Sequence, residues 1–450
     1  MVVAGAVLVF SVGERYKHLN HARRAAFRVV RTLTPSARRW LLDASLYGLS
    51  ASFAAITAGA AGIPLQRTWG HTALWGYLGA TAVAVAASLR HRREGHDERL
   101  RALLAVAVFA ATALVPLVIA AHLRAEGDPG DHAQSEVIIV EEGADAMFDG
   151  RDPYAEEYVD GPLSDRPLAT QVHFPYMPFM LVFGIPRAVA GHVPWADARV
   201  WFTIFSLSVA LPSLLRMHTR AQGRVRTFQV LFALPTGALL LATGGVDIPV
   251  LALLLATTVL AERGEARGAG LSGGLALATK QTSLLILPFI ALAISDRPGR
   301  RRFLVTTGLV GLGLTLPFAL WDVRAFVEDA VLFPLGAGHG VSAARTPTVG
   351  SWLLDLFPSQ RGLITALLVL LILGVVVLLL LSGRGSSMAQ ACTRAAGAFL
   401  FACAFAPAAR VGYLVYPANL IAWAVAFRQA EKMAASDATE GPAPSLVPET

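Results

Sequence analysis

Apolar residues fall in long blocks along this chain, separated by short polar runs. Residues 41–63, 72–89 and 102–122 each approach the roughly 20 apolar residues that span a bilayer core of about 30 Å. Blocks of the same kind follow at 200–215, 228–241, 248–260, 303–320, 363–381, 395–407 and 411–426. Two shorter runs, 268–279 and 282–294, flank Lys280 and Gln281 and read as a hairpin. Residues 172–190 are apolar but interrupted by Pro175, Pro178, Pro186 and Arg187. Counting that stretch as a crossing breaks the alternation of inner and outer loops. Either it is re-entrant, or one of the neighbouring blocks does not cross. Non-helical backbone at membrane depth is tolerated only beside protein or a water-filled cavity, so a cavity is expected here. The pattern predicts an all-α, multi-pass transmembrane bundle of about 10–12 apolar segments.

The same pattern divides the chain into a basic cytoplasmic N-terminal segment (1–40), a transmembrane body (41–428) and a polar tail (429–450) expected to be disordered. The first apolar run, residues 1–12, is too short to span. Charge follows that run instead of preceding it, which fits a signal peptide poorly; a truncated first helix is the alternative.

Composition supports the membrane assignment. Of 450 residues 55% are hydrophobic and 15% charged, against about 25% charged in soluble domains. That excludes a disordered chain, and two cysteines exclude a disulfide framework. Cys392 and Cys403 offer neither a structural disulfide nor metal-ligand spacing. The net charge of +7 sits in short runs, at 90–101, 216–226, 262–267 and 297–302. This is the positive-inside distribution of a membrane protein and not a nucleic-acid footprint. Thirteen of the 31 acidic residues lie between Arg124 and Gln171, with three arginines, for a local charge of −10. The loop 123–171 is therefore expected outside, as is a second large loop, 321–360. The protein is expected in the cell membrane with its chemistry on the extracytoplasmic side.

Within the acidic loop, residues 135–148 read as an amphipathic helix lying on the membrane surface. Gly150 ends it, and Asp152-Pro153-Tyr154 is turn chemistry. Glu136, Glu141 and Glu142 are candidate general bases; the plain alternative is a solvated acidic loop. Lys280 stands in an otherwise uncharged apolar stretch, where an ionisable group costs about 2.5–3.5 kcal/mol and needs a partner or a task. It suits an anionic ligand, or snorkelling to the interface. Asp247, after Gly244 and Gly245, is either a site residue or a helix cap. Arg410 and Arg345 suit a phosphate. His173, Tyr176, Tyr413, Tyr416 and Trp352 suit a sugar face, or equally an aromatic belt. All these residues project to one side in the expected topology, which independent snorkelling does not require.

Several motifs resemble those of GT-C-fold glycosyltransferases, most closely the actinobacterial polyprenyl-phosphate-mannose-dependent mannosyltransferases of glycosyltransferase family 87. Gly150-Arg151-Asp152-Pro153-Tyr154 is similar to a G-x-[ND]-P-Y element in the first outer loop. Phe174-Pro175-Tyr176-Met177-Pro178 resembles an aromatic-Tyr-Pro-Pro segment, with Met177 in place of Pro. Gly245-Val246-Asp247 resembles a Gly-Gln-Asn/Asp turn, with Val246 in place of Gln. Ala269-Gly270 to Gly274, Ala276 and Lys280 follow an A-G-x-x-x-G-x-A-x-x-x-K pattern. The resemblance covers about residues 130–430.

It implies transfer of a sugar, mannose foremost, from a polyprenyl-phosphate donor to a glycan or glycolipid acceptor, with inversion. In the family an acid near the start of the first outer loop, after Ser, is the base; Glu136 follows Ser135, with Glu141 and Glu142 next. Asp152, Tyr154, His173, Tyr176, Asp247, Lys280, Arg345, Arg410 and Tyr413 become substrate-binding candidates. Basic residues, sometimes with a divalent metal, would stabilise the leaving phosphate; no cofactor is otherwise implied. A transporter or lipid flippase is the competing class, and an inverted repeat between the halves would mark it; none is visible in the sequence. A membrane scaffold would need neither Lys280 nor the clustered outward charges.

Overall fold

In the computed structural model, residues 34–90, 94–337, 346–383 and 385–439 are described, and their ordered elements are helices. Among the described residues, eight helices are long and apolar enough to cross a membrane: Pro35–Ala60, Pro64–Leu89, Asp97–Glu126, Ala198–Arg216, Ala221–Thr243, Arg297–Trp321, Pro358–Leu381 and Met388–Phe405. Shorter helices, Asp247–Glu262 and Ala266–Thr279, fill the middle of the body. Nearly every residue of Asp247–Glu262 is buried, as befits a helix apolar all round.

At two proline breaks, a side chain donates to a nearby backbone carbonyl. Pro116 has no N–H for Thr112 O, and Trp69 Nε1 donates to that oxygen at 2.8 Å. The backbone there widens into a π turn at Ala110–Leu114. Before Pro235, Tyr77 donates its hydroxyl to Ala233 O at 2.9 Å.

Three expectations change. The first helix among the described residues begins at Pro35, capped by the Thr34 side chain, ahead of the block expected to start at residue 41. The last helix, Val415–Thr439, runs through 429–439, which are helical and not disordered; 440–450 and the short run 1–12 lie outside the described residues. Residues 172–190 form no long helix. They give a 3-10 turn at Pro178–Phe183 and a short helix at Ile185–Ala190, because three prolines and Arg187 deny the stretch a continuous ladder. The stretch is a broken segment and not one long helix.

The helix at Ser135–Phe148 forms where the pattern places it, and Gly150 follows it at φ +74°. It does not lie on a surface. Val137, Ile138, Ile139 and Val140 are all buried, in a second core with Tyr154, Phe174, Leu181, Phe183, Phe202 and Phe326. Gly143 lets Phe174 and Leu181 pack against the helix; a Cβ there would lie 2.9–3.0 Å from both rings and methyls. The acidic loop is thus a packed cap on the bundle.

One polar cluster is buried inside the bundle itself. Asp43 receives Arg101 Nε at 2.5 Å, Arg226 Nη2 at 3.0 Å and Gln229 Nε2 at 3.2 Å. Gln229 also donates to the Tyr47 hydroxyl at 2.7 Å. Neither Asp43 nor Arg226 stands out in the sequence, since each sits at the edge of an apolar block.

Candidate active site

Glu136 occupies the first turn of the Ser135–Phe148 helix. The turn is anchored just before it: Gln134 N donates to Thr243 O at 3.0 Å, tying the loop helix to the end of a membrane helix. Gly244 follows Thr243, and a Cβ on it would stand 2.7 Å from Gln134 Oε1 and 3.1 Å from Glu136 Oε2. Glycine is needed here for the backbone to approach the carboxylate; Gly245 beside it takes φ +80°. Two residues on, Asp247 opens its helix with a carboxylate at the favourable N-terminal end.

Lys280 lies at the break between the Ala266–Thr279 helix and a 3-10 turn, Gln281–Leu285. Its ammonium donates to Asp247 Oδ1 at 2.5 Å and sits 5.6 Å from the Tyr176 ring centroid and 5.1 Å from that of Tyr413. Asp247 Oδ1 also accepts the Tyr416 hydroxyl at 2.7 Å. Lys280 is 5% exposed, so it is paired inside the protein and does not snorkel. Asp247 likewise does more than cap a helix.

Arg410 comes from the turn after the Met388–Phe405 helix, and its guanidinium pairs with Glu136. Residues 274 positions apart are thereby joined. Glu136, Lys280, Arg410, Tyr176, His173 and Tyr413 all line one cavity of about 450 Å³. Its remaining wall is largely aliphatic, from Leu277, Leu284, Leu285, Val369, Ile372 and Leu373.

The wall formed by residues 173–177 is fastened on every side. Asp329 accepts from His173 Nδ1 at 2.6 Å and from Phe174 N at 2.7 Å. Gln281 Nε2 donates to Pro175 O and Ala330 O at 3.1 and 3.2 Å. The Tyr154 hydroxyl donates to Tyr176 O at 2.9 Å. Burial pushes the Asp329 carboxyl up, against the opposing hydrogen bond from His173.

The other expected site residues fall elsewhere. Asp152 Oδ1 accepts Tyr154 N at 3.0 Å, a turn that sets Tyr154 beneath the wall; both act as supports and neither lines the cavity. Glu141 is 2% exposed and consumed by Arg124 at 2.7 Å and Ala198 N at 2.9 Å. Arg124 also reaches Asp197 at 3.1 Å, and Arg199 binds Asp197 at 2.8 Å. Burial opposes charge on Asp197, yet Arg199 and Arg124 hold its carboxyl below the usual range. Glu142 is half-buried outside the cavity; burial, then Asp145 and Glu141, push its carboxyl up. Trp352 is 61% exposed and away from the cavity. Arg345 lies outside the described residues. Asp329 was not singled out from sequence, and Gln281 only as a neighbour of Lys280. Their partners lie 49 to 156 residues away, with no local signal.

Among the described residues, no group of three or more His, Cys, Asp or Glu is placed to hold a metal. The two carboxylates nearest the cavity cations are each already paired, Glu136 with Arg410 and Asp247 with Lys280. The donor set does not fit a divalent ion, and no step below is routed through one.

A helical membrane body, a packed cap and two paired cations beside one half-aliphatic cavity make up the candidate site. The chain belongs to glycosyltransferase family 87, whose model matches residues 174–407. That span holds Tyr176, Asp247 and Lys280, while Glu136 and Arg410 lie outside it. The crystal structure of ArnT from Cupriavidus metallidurans bound to undecaprenyl phosphate is similar at a TM-score of 0.43 and 17% identity, over 75% of this chain. This chain spans 64% of that chain's length. No curated protein sequence matches.

Proposed function

We propose that this protein is an integral membrane glycosyltransferase that moves a sugar, mannose foremost, from a polyprenyl-phosphate donor to an extracytoplasmic glycan or glycolipid acceptor. The observation that carries this reading is the single cavity shared by Glu136, Lys280 and Arg410. A carboxylate to take a proton and two cations to receive a leaving phosphate are the parts the reaction needs. The aliphatic wall suits the isoprenoid end of the donor, and Tyr176 and Tyr413 suit the face of a sugar.

In this mechanism Glu136 accepts the proton of the acceptor hydroxyl. The hydroxyl oxygen forms a bond to the anomeric carbon as the bond from that carbon to the phosphate oxygen breaks. The electron pair leaves on the phosphate, whose charge Lys280 and Arg410 receive. Attack opposite the leaving group inverts the anomeric centre. Membership of family 87 supports a transferase over a transporter or flippase.

Purified protein given a polyprenyl-phosphate sugar and a glycolipid acceptor is expected to consume the donor, and Glu136→Gln to lower turnover by at least about 100-fold. Full activity in Glu136→Gln alongside loss in Glu141→Gln or Glu142→Gln would overturn the base assignment. Sugar transport without donor consumption would overturn the enzyme.

A further inference from the structure

The charges around the cavity are already balanced, and that balance has a consequence for an anionic donor. Lys280 is matched by Asp247 and Arg410 by Glu136. An incoming phosphate must take a cation from one of these carboxylates. The two pairs differ in how readily they part. Lys280 and Asp247 have side chains only 6% and 9% exposed. Asp247 is further held by Tyr416, and Lys280 lies between two aromatic rings. Separating them would strand a buried carboxylate, which is strongly unfavourable. Arg410 and Glu136 are 38% and 17% exposed and face the cavity. Glu136 also sits in the first turn of a helix, where the helix dipole and unpaired N–H groups favour a carboxylate that has lost its partner.

We propose that Arg410 holds Glu136 engaged until the phosphate of the donor takes the guanidinium, so that donor binding frees the base and precedes activation of the acceptor hydroxyl. This rests on the transferase reading above and adds an order of events to it. A base held by Arg410 cannot act on a hydroxyl arriving alone, water included. Once the phosphate is seated, Arg410 stands on the leaving group and Glu136 is turned to the acceptor.

The test is a double-mutant cycle read by binding of sugar-free undecaprenyl phosphate to the full-length protein in nanodiscs, with uncharged polyprenol as control for the tail. Glu136→Gln is expected to tighten phosphate binding about three- to fivefold, because Arg410 no longer has a competing anion. Arg410→Gln is expected to weaken binding about tenfold. In the Arg410→Gln background, Glu136→Gln is expected to change nothing beyond error. Equal tightening in both backgrounds would show a general charge effect and overturn the exchange, as would no tightening at all. Glu136→Ala serves as a second variant where Glu136→Gln fails to fold. Absence of phosphate-dependent binding in every form overturns the donor assignment itself, and this inference with it. Binding without coupling between the two positions overturns this inference alone.

Discussion

Two clusters of charge lie in this molecule with opposite consequences. Around Asp43, three donors converge on one carboxylate inside the bundle: Arg101, Arg226 and Gln229. Asp43 and Arg101 are only 1% and 2% exposed. Around Glu136 and Lys280, each cation has one carboxylate and both pairs border about 450 Å³ of open space. Counting ion pairs does not separate the two. The difference is whether several donors converge on one buried carboxylate, or each cation has a single carboxylate beside an open volume. The first arrangement staples membrane helices together; the second leaves charge that a ligand can take.

The sharpest way to break that comparison is at the closed cluster. Asp43→Ala leaves Arg101 and Arg226 buried with no acid between them, and removing one partner of a buried pair costs about 3–5 kcal/mol. A large fall in the unfolding midpoint in detergent is expected, with the turnover of the folded fraction unchanged within about twofold. If turnover per folded molecule collapses while stability holds, the inner cluster is functional and the contrast is lost.

Lys280→Met combined with Asp247→Asn attacks the open cluster without stranding an acid. Turnover is expected to fall by at least about 100-fold through loss of leaving-group stabilisation, while the midpoint moves far less than for Asp43→Ala. An equal loss of stability would mean that Lys280 and Asp247 are a staple like the inner cluster, and that the cavity beside them is incidental.

The sequence carried the architecture because membrane crossing is written in block length and in the placement of basic loops. It carried Glu136, Lys280, Asp247 and Arg410 because few charges compete for attention in a chain only 15% charged. It ranked Glu136 ahead of Glu141 only through a motif position, since both sit on the same helix. Only the fold shows Glu141 turned to Arg124 and Glu136 turned to the cavity. Asp43 escaped notice because one acid at the edge of an apolar block looks like the end of a helix. Asp152 and Tyr154 belong to the motif yet serve by supporting Tyr176 from below. A motif records which residues a fold needs, without distinguishing those that meet substrate from those that hold a wall in place.

The smallest expected effect concerns Glu142, one residue from the closed Glu141–Arg124 pair and outside the cavity. Burial, with Asp145 and Glu141 close by, pushes its carboxyl up. The folded state therefore holds the proton to higher pH than the unfolded chain does. Its contribution to stability is present below the unfolded value near 4.3 and is lost as pH rises through the folded one. Glu142→Gln keeps the neutral form at every pH. The variant is expected to match the parent in acid and to unfold about 1–2 °C higher at neutral pH, with turnover unchanged within about twofold. Melting curves across pH read this directly. A loss of turnover in Glu142→Gln at unchanged stability would move the site off the cavity wall and into the cap, removing the distinction between charge that holds the protein together and charge held ready for substrate.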